Sequence, residues 1–197
     1  MTHAAPLDLA PPASPAAPTP IPGAAAVRMP VSKFAADRWR PNTTVAAIIE
    51  RDGRFLLVEE DTADGLRLNN PAGHLDPGEA PETACVREVL EETKHRFTAT
   101  ALVGVYLSRF TKTSTGEDVT YLRFAYTGEL GDEVPGAEFD EGIVRTLWMS
   151  YEEIVASADR HRTPLLLRGI DDYLTGRRYP LDVVHADPSI LQTPAQG

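Results

Sequence analysis

The sequence predicts an α/β sandwich built around a mixed β-sheet. Two observations indicate this fold class: β-rich segments alternate with amphipathic helical segments along the chain, and a hairpin signal stands at the first pair of strands. The 197 residues suit one domain of ordinary size plus a tail, and a hydrophobic content of 42% is enough to form a core.

Composition divides the chain into three regions. Residues 1–37 are dominated by Pro and Ala, which predicts a disordered tail. Residues 38–182 form the predicted folded domain, and residues 183–197 form a C-terminal tail. No stretch approaches the roughly 18 consecutive apolar residues of a membrane span, so we expect no membrane segment and a cytoplasmic location.

The folded region begins with strand signals. Val45–Glu50 and Arg54–Glu59 are β-rich and flank Asp52-Gly53, a dipeptide that supplies the positive φ angles of a tight hairpin turn. We therefore expect these two segments to pair as antiparallel strands. A short apolar run, Leu66–Leu68, precedes the predicted loop Asn69–Gly73, which carries helix and strand breakers.

A helix follows this loop. Pro81 suits the first helical position because its missing N–H costs nothing there, and Glu82 favours the positive end of the helix dipole. The apolar spacing predicts that the helix continues to Thr93 or Lys94. Further strands are predicted at Ala101–Ser108, Thr120–Glu129 and Arg145–Met149, and further helices at Glu152–Ala158 and Pro164–Leu174, the latter ending at Gly176.

The formal net charge of -10 restricts the partners. Such a surface repels polyanions, which argues against a protein that binds nucleic-acid duplexes. A small anionic substrate needs a bridging cation on this surface, and clustered carboxylates are the residues that would hold one. The single cysteine, Cys85, rules out an intramolecular disulfide and a Cys-based zinc cluster, and we expect it in the core.

Three carboxylates of the predicted helix share one face. Glu88, Glu91 and Glu92 are related by offsets of three and four residues, which at about 100° per residue places them in one arc. Their repulsion destabilises the helix unless a cation lies between them, and such hard oxygen ligands suit Mg²⁺ or Mn²⁺. Taken alone, such a run is more often the solvated face of an amphipathic helix.

The upstream spacing decides between these interpretations. Gly73, five residues, Glu79, seven residues and then Arg87-Glu88-Val89-Leu90-Glu91-Glu92 form a pattern whose chance occurrence is on the order of 10⁻⁵. The pattern resembles the Nudix box, the loop–helix–loop catalytic motif of the Nudix hydrolases. That box normally closes with a glycine and an apolar residue, whereas this chain has Lys94 and His95, so we expect a different helix C-cap.

Segments outside the box extend the similarity from about Pro41 to Leu181, and they favour the NudJ-type phosphatase branch of the family. They are Thr44-Val45-Ala46, Leu57-Val58-Glu59-Glu60, Asn70-Pro71-Ala72-Gly73-His74-Leu75, Tyr121-Leu122-Arg123-Phe124 and Arg162-Thr163-Pro164. The resemblance implies a Nudix-type α/β/α sandwich and hydrolysis of nucleoside di- and triphosphates or thiamin-related pyrophosphates. The alternatives are a pyrophosphohydrolase of nucleoside diphosphate sugars or dinucleoside polyphosphates, and a non-catalytic Nudix ligand-binding module. Its partner would be a small phosphorylated compound, and the protein a monomer or homodimer.

The resemblance also implies roles for the residues of the box. Glu88, Glu91 and Glu92 would hold the divalent cations, and the backbone carbonyl of Gly73 would add a ligand. Glu91 or Glu88 would act as the general base on water, with Asp140-Glu141 as candidates for an acid beyond the box.

Further residues would position the loop and the substrate. By resemblance, Arg87 pairs with Glu79 and holds the loop against the helix, with direct phosphate contact as the alternative. His74, Arg123 and Arg162 are candidate substrate-binding residues because each can donate hydrogen bonds to phosphate. The alternatives are a surface position for His74, a sheet-edge position for Arg123 and helix capping for Arg162.

Overall fold

The computed structural model describes residues 39–111 and 116–191. The predicted tail of residues 1–37 lies outside these ranges, as does the end of the predicted C-terminal tail, so the domain boundaries remain predictions. Within the described ranges, the chain from Arg40 onward forms one compact unit. None of its described helices combines the length and apolarity of a transmembrane span.

Eight strands and three α-helices make up the described part of the chain. The strands are β1 (Asn42–Ile48), β2 (Glu50–Arg51), β3 (Arg54–Thr62), β4 (Gly65–Asn69), β5 (Ala72–His74), β6 (His95–Thr111), β7 (Asp118–Glu133) and β8 (Ile143–Ser150). The helices are α1 (Pro81–Thr93), α2 (Tyr151–Ala156) and α3 (Leu165–Leu174), and short 3₁₀ turns lie at Ala158–Arg160, Leu181–Val183 and Pro188–Leu191. Helix α1 begins and ends where the sequence predicts.

The strands form two four-stranded sheets, of which the first is mixed. Its order is β5-β1-β7-β6; β1 runs parallel to β7, whereas β5 is antiparallel to β1 and β6 is antiparallel to β7. In the second sheet, β3 pairs antiparallel with β2, β4 and β8. The predicted α/β class with a mixed sheet is confirmed.

Successive strand residues point to opposite faces of the sheets and so enter two different cores. Helices cover both faces because each core includes helical side chains. In β1, Val45 and Ala47 belong to the core under α1, whereas Ile48 belongs to the core under α2 and α3. Full burial of an aliphatic side chain of this size contributes about 1.5–3 kcal/mol relative to exposure. Cys85 is buried in the α1 core, as predicted.

The predicted pairing of Val45–Glu50 with Arg54–Glu59 is wrong for most of its length. The Asp52-Gly53 turn forms, with φ angles of 53° and 75°, but the ladder across it is limited to Glu50–Arg51, extended by one hydrogen bond from the N–H of Leu56 to the carbonyl of Ile49. The preceding residues form β1, which lies between β5 and β7 in the other sheet. The physical reason is that Val45–Ile49 is buried throughout, and a strand covered on both faces suits a central position next to a parallel neighbour.

Strands β6 and β7 are longer than the predicted segments Ala101–Ser108 and Thr120–Glu129. Their ladder contains three register shifts between His95 and Gly104. Each such irregularity changes which residues face inward, so a strict two-residue alternation marks only part of each strand. The predicted loop Asn69–Gly73 is also shorter, because it contains the end of β4 and the start of β5.

Replacing Gly128 by Ala tests the close approach of β6 and β7. An ideal Cβ at Gly128 would lie 2.0 Å from the carbonyl oxygen of Thr98 and 2.8 Å from Cα of Ala99, both backbone atoms of the paired strand. We expect Gly128→Ala to lower the free energy of unfolding by about 1–3 kcal/mol, measured by urea denaturation. Gly131→Ala is the control, because the nearest atom to its Cβ would be Cβ of Arg96 at 3.3 Å and the nearest backbone atom would be the Arg96 carbonyl oxygen at 3.6 Å, an ordinary contact distance. Equal losses in the two variants would contradict this explanation.

Candidate active site

Strand β5 and helix α1 form the loop–helix unit that carries the predicted metal ligands. The backbone of Gly73 lies against the carboxylate of Glu88, since an ideal Cβ at Gly73 would be 2.1 Å from Cδ of Glu88. Any larger residue would displace that carboxylate. The N–H of Ala72 donates a 2.8 Å hydrogen bond to Oε2 of Glu92. Two glutamates of α1 therefore meet the backbone of β5 directly.

Arg87 connects the loop to the helix. Its Nε and Nη2 atoms donate to the two carboxylate oxygens of Glu79 at 3.1 and 2.7 Å. Its Nη1 atom donates to Glu88 at 2.8 Å and to Glu91 at 2.9 Å, while Nη2 also donates to the carbonyl of His74 at 3.0 Å. Hydrogen bonding by Arg87 lowers the pKa of Glu79. The resemblance to the Nudix box implies a pair between Arg87 and Glu79, and the two side chains form this pair through two hydrogen bonds.

Glu88 and Glu92 are buried acids on α1. Desolvation raises the pKa of Glu88, although hydrogen bonding by Arg87 opposes the rise. Desolvation also raises the pKa of Glu92 to about 8, and the nearby charges of Glu60, Glu88 and Asp140 add to the shift. Buried carboxylates that raise one another's pKa attract a cation, because a cation stabilises their charged forms.

The donor set fits a hard divalent cation, although its members are not gathered around one point. Glu88, Glu91, Glu92 and the Gly73 carbonyl offer the oxygen ligands that Mg²⁺ and Mn²⁺ prefer. The side chain of Glu91 is 41% exposed to solvent. Glu91 and Glu88 both accept hydrogen bonds from Nη1 of Arg87. Within residues 39–111 and 116–191, no three His, Cys, Asp or Glu side chains are placed to hold one metal ion.

The mixed sheet places the substrate-binding candidates beside this unit. Thr44 of β1 is paired with His74 on one side and with Arg123 on the other. Neighbouring strands are about 4.8 Å apart, so these three residues form one row roughly 10 Å long. Arg123 is consequently an interior residue of the sheet, because β7 lies between β1 and β6. The sheet-edge alternative is wrong.

A cavity of about 390 Å³ opens beside this row. It brings together His74, Glu92, Arg123 and Arg162, and the acidic pair Asp140-Glu141 also lines it. Gly73 contributes its backbone to the wall. Glu79, Arg87, Glu88 and Glu91 are not among the residues that line the cavity within the described part of the chain. The predicted site residues therefore divide into a set that lines the cavity and a set that lies outside its lining.

Arg123 is a buried cation that faces this cavity. Its side chain is only 9% exposed, and desolvation lowers its pKa to about 10. Nε lies 3.5 Å from Oγ1 of Thr44, and Nη1 has no hydrogen-bond partner among the described residues. A buried guanidinium with a free donor can bind a phosphate oxygen that enters the cavity, and such a bond is strengthened by charge.

Glu60 also lines the cavity. Its Oε1 atom accepts a 2.9 Å hydrogen bond from Nδ2 of Asn69, and its Oε2 atom is bound by Nη1 of Arg162. The pairing holds Arg162 at the cavity, and its guanidinium forms no helix cap there. Oδ1 of Asn69 is buried without a partner in the described residues.

A family model for the NUDIX domain matches residues 39–168. The chain belongs to the Nudix family. Phosphatase NudJ of Escherichia coli strain K12 is 35% identical over 147 residues, which cover 74% of this chain and 92% of that protein. The chain is therefore a hydrolase that acts on phosphorus-containing anhydrides, and its substrate is a small phosphorylated compound.

Solved Nudix structures confirm the α/β/α sandwich. A NUDIX hydrolase from Nitrosomonas europaea is 48% identical, with a TM-score of 0.69 over 76% of this chain and 99% of that chain. A MutT NUDIX hydrolase from Burkholderia pseudomallei is 20% identical and shares the fold, with a TM-score of 0.55 over 68% of this chain and 98% of that chain.

The Nudix helix of this chain ends without the usual glycine. Lys94 occupies that position and adopts the left-handed conformation that glycine would, with φ 63° and ψ 9°, and its N–H donates to the carbonyl of Leu90. A left-handed L residue is unfavourable by about 1–2 kcal/mol. Nζ of Lys94 lies 3.8 Å from the ring centroid of Phe139, and this cation–π contact offsets part of the cost. The helix exit is preserved by a different side chain.

Sequence reasoning assigned no site role to several residues that line the cavity, among them Glu60, Asn69, Phe110 and Tyr121. Glu60 left a weak signal, since a charged residue inside a buried strand needs a partner. Phe110 and Tyr121 left none, because strand aromatics usually belong to a core. Only the pairing of β6 with β7 brings them together.

The raised pKa of Glu92 predicts that the difference in stability between the unmodified protein and a Glu92→Gln variant depends on pH. The pKa of this carboxyl is about 8 in the folded state and about 4.5 in the unfolded state, so the protonated form stabilises the fold. Its contribution to the free energy of unfolding is complete below about pH 4.5 and is lost as pH rises through 8. With a chelator present, we expect Glu92→Gln to be more stable than the unmodified protein at pH 8.5 by on the order of 2 kcal/mol, with little gain at pH 4.5. Urea denaturation at both pH values measures this difference, with exposed Glu129→Gln as the control for losing a carboxylate. The same gain at both pH values would contradict the assignment.

Proposed function

We propose that this Nudix hydrolase is a Mg²⁺- or Mn²⁺-dependent phosphatase of nucleoside di- and triphosphates or thiamin-related pyrophosphates, acting in the cytoplasm. The observation that carries the proposal is that one cavity is lined by the buried acid Glu92 and by the buried Arg123, whose Nη1 has no hydrogen-bond partner among the described residues. The buried carboxylate of Glu92 requires a cation, and the buried guanidinium of Arg123 requires an anion. A metal-bound phosphate supplies both.

In this proposal, Glu88, Glu91 and Glu92 hold the cations together with the Gly73 carbonyl. Bound divalent cations neutralise phosphate charge and lower the pKa of water. Glu88 or Glu91 accepts the proton from the attacking water, and Glu88 suits this role because burial raises its pKa towards neutrality.

The arginines divide between binding and support. Arg123 donates from Nη1 to a phosphate oxygen, and Arg162 contributes a second cationic group while bound to Glu60. His74 stands in the same row and lines the same cavity, within reach of the phosphates. Arg87 and Glu79 keep β5 and α1 in their relative position, so they support the ligands from outside.

Replacing the candidate bases tests the proposal. We expect Glu88→Gln and Glu91→Gln each to lower kcat by at least ~10²-fold while circular dichroism shows an intact fold, since a lost base removes about that factor. Glu129→Gln, on an exposed position of β7, is the matched control and should retain full activity. A chelator should abolish turnover and Mg²⁺ or Mn²⁺ should restore it. Near-normal kcat in both variants, or metal-independent turnover, would contradict the proposal.

The substrate class is measured separately with a panel of nucleotides and organic pyrophosphates. We expect hydrolysis of nucleoside di- or triphosphates or of thiamin-related pyrophosphates, with orthophosphate among the products. Analysis of orthophosphate against pyrophosphate shows which anhydride bond breaks. Activity restricted to nucleoside diphosphate sugars or dinucleoside polyphosphates would contradict the substrate assignment and leave the metal site intact.

A further inference from the structure

Two aromatic rings form a stacked pair at the mouth of the active-site cavity. The rings of Phe110 and Tyr121 lie 5.6 Å apart between centroids with an interplanar angle of 11°. The ring of His74, the last residue of β5, lies 6.0 Å from the ring of Tyr121 between centroids and is tilted by 49° relative to it. All three residues line the cavity. The aromatic pair is therefore adjacent to the residues that bind phosphate in the proposed function.

Phe110 is exposed to solvent at the edge of the cavity lining. Its side chain is 47% exposed, although Val119, its partner across the β6–β7 ladder, is buried. An exposed aromatic ring offers a flat surface on which a second planar group can stack. One face of the Phe110 ring is stacked on Tyr121, so the other face is available to a third planar group.

Strand geometry sets the distance between the ring pair and the phosphate end. Tyr121 and Arg123 are two residues apart on β7 and therefore point to the same face, roughly 7 Å apart along the strand. Arg123 in turn lies in the row with Thr44 and His74. A compound whose planar ring is joined to a diphosphate through a ribose or a short link can span this distance with its ring on the aromatic pair.

We propose that Phe110 and Tyr121 form a stacking platform for the planar heteroaromatic ring of the substrate, which selects diphosphates of heterocyclic compounds over those of sugars and aliphatic alcohols. This inference rests on the proposed function, because it assumes that the phosphates lie at Arg123. A base stacked on an aromatic side chain gains affinity on the order of 10- to 100-fold. The platform is indifferent to which heterocycle is bound, because every such ring presents a π face.

Binding of monophosphates tests the platform without requiring turnover. We expect cytidine 5′-monophosphate to bind at least ~10-fold more tightly than ribose 5-phosphate in calorimetric titrations with Mg²⁺ present. Phe110→Ala and Phe110→Leu should remove this difference, whereas Phe110→Tyr should keep it. The leucine variant retains apolar surface and lacks a π face, so undiminished preference in that variant would overturn the stacking proposal.

Kinetics with a matched pair of diphosphates supplies the second measurement. For cytidine 5′-diphosphate, Phe110→Ala should raise KM by on the order of 10-fold or more with kcat nearly unchanged, and for ribose 5-diphosphate both constants should stay the same. Leu107→Ala is the matched control, because Leu107 is 66% exposed on the same strand and does not line this cavity. Equal effects of Phe110→Ala on the two substrates would overturn the inference.

Failure of the proposed function would look different. In that case the unmodified protein would hydrolyse neither diphosphate with Mg²⁺ or Mn²⁺ present. The titrations with the two monophosphates would still decide whether Phe110 binds a heteroaromatic ring.

Discussion

Contact between α1 carboxylates and the backbone of β5 is the constraint on which the site depends. Glu88 fits only because Gly73 has no side chain, and Glu92 is held by the N–H of Ala72. Burial of such acids destabilises a fold unless each has a partner. Arg87 compensates Glu88, whereas Glu92 has one backbone donor against several neighbouring charges. The fold therefore keeps a locally unfavourable arrangement at the position where the proposed function places a cation, a compromise that is common at functional sites.

Sheet topology supplies the second half of the site. Because β1 lies between β5 and β7, His74 on β5 and Arg123 on β7 flank the same residue of β1, although they are far apart in sequence. A hairpin of β1 with β3 would have placed β1 in the other sheet and separated these groups. The apolar run at Val45–Ile49, which forces β1 into the centre of its sheet, thus has a functional consequence as well as a structural one.

The sequence predicts the parts of the site that are local and leaves out those that depend on tertiary contacts. Helix α1 and the Asp52-Gly53 turn follow from Pro81, apolar spacing and turn chemistry, all of which act within a few residues. The position of β1 and the role of Glu60 depend on partners from distant parts of the chain, which no local pattern encodes. Bulges in β6 likewise hide the full strand because they interrupt the alternation on which prediction relies.

The two ends of the cavity are built by different elements, and this separation has a consequence for specificity. The Nudix-box carboxylates come from α1 and the loop before it, and in the proposed function they hold the cations that bind what all diphosphates share. Phe110 and Tyr121 come from the paired strands β6 and β7, which contribute no acid of the Nudix box. A substitution on these strands can therefore change which organic group is accepted without altering the carboxylates, because no hydrogen bond or ion pair described for the box glutamates involves either aromatic residue. Within one fold, chemistry and substrate choice are then separable properties, the first fixed by charge and the second by the shape and polarisability of a neighbouring surface.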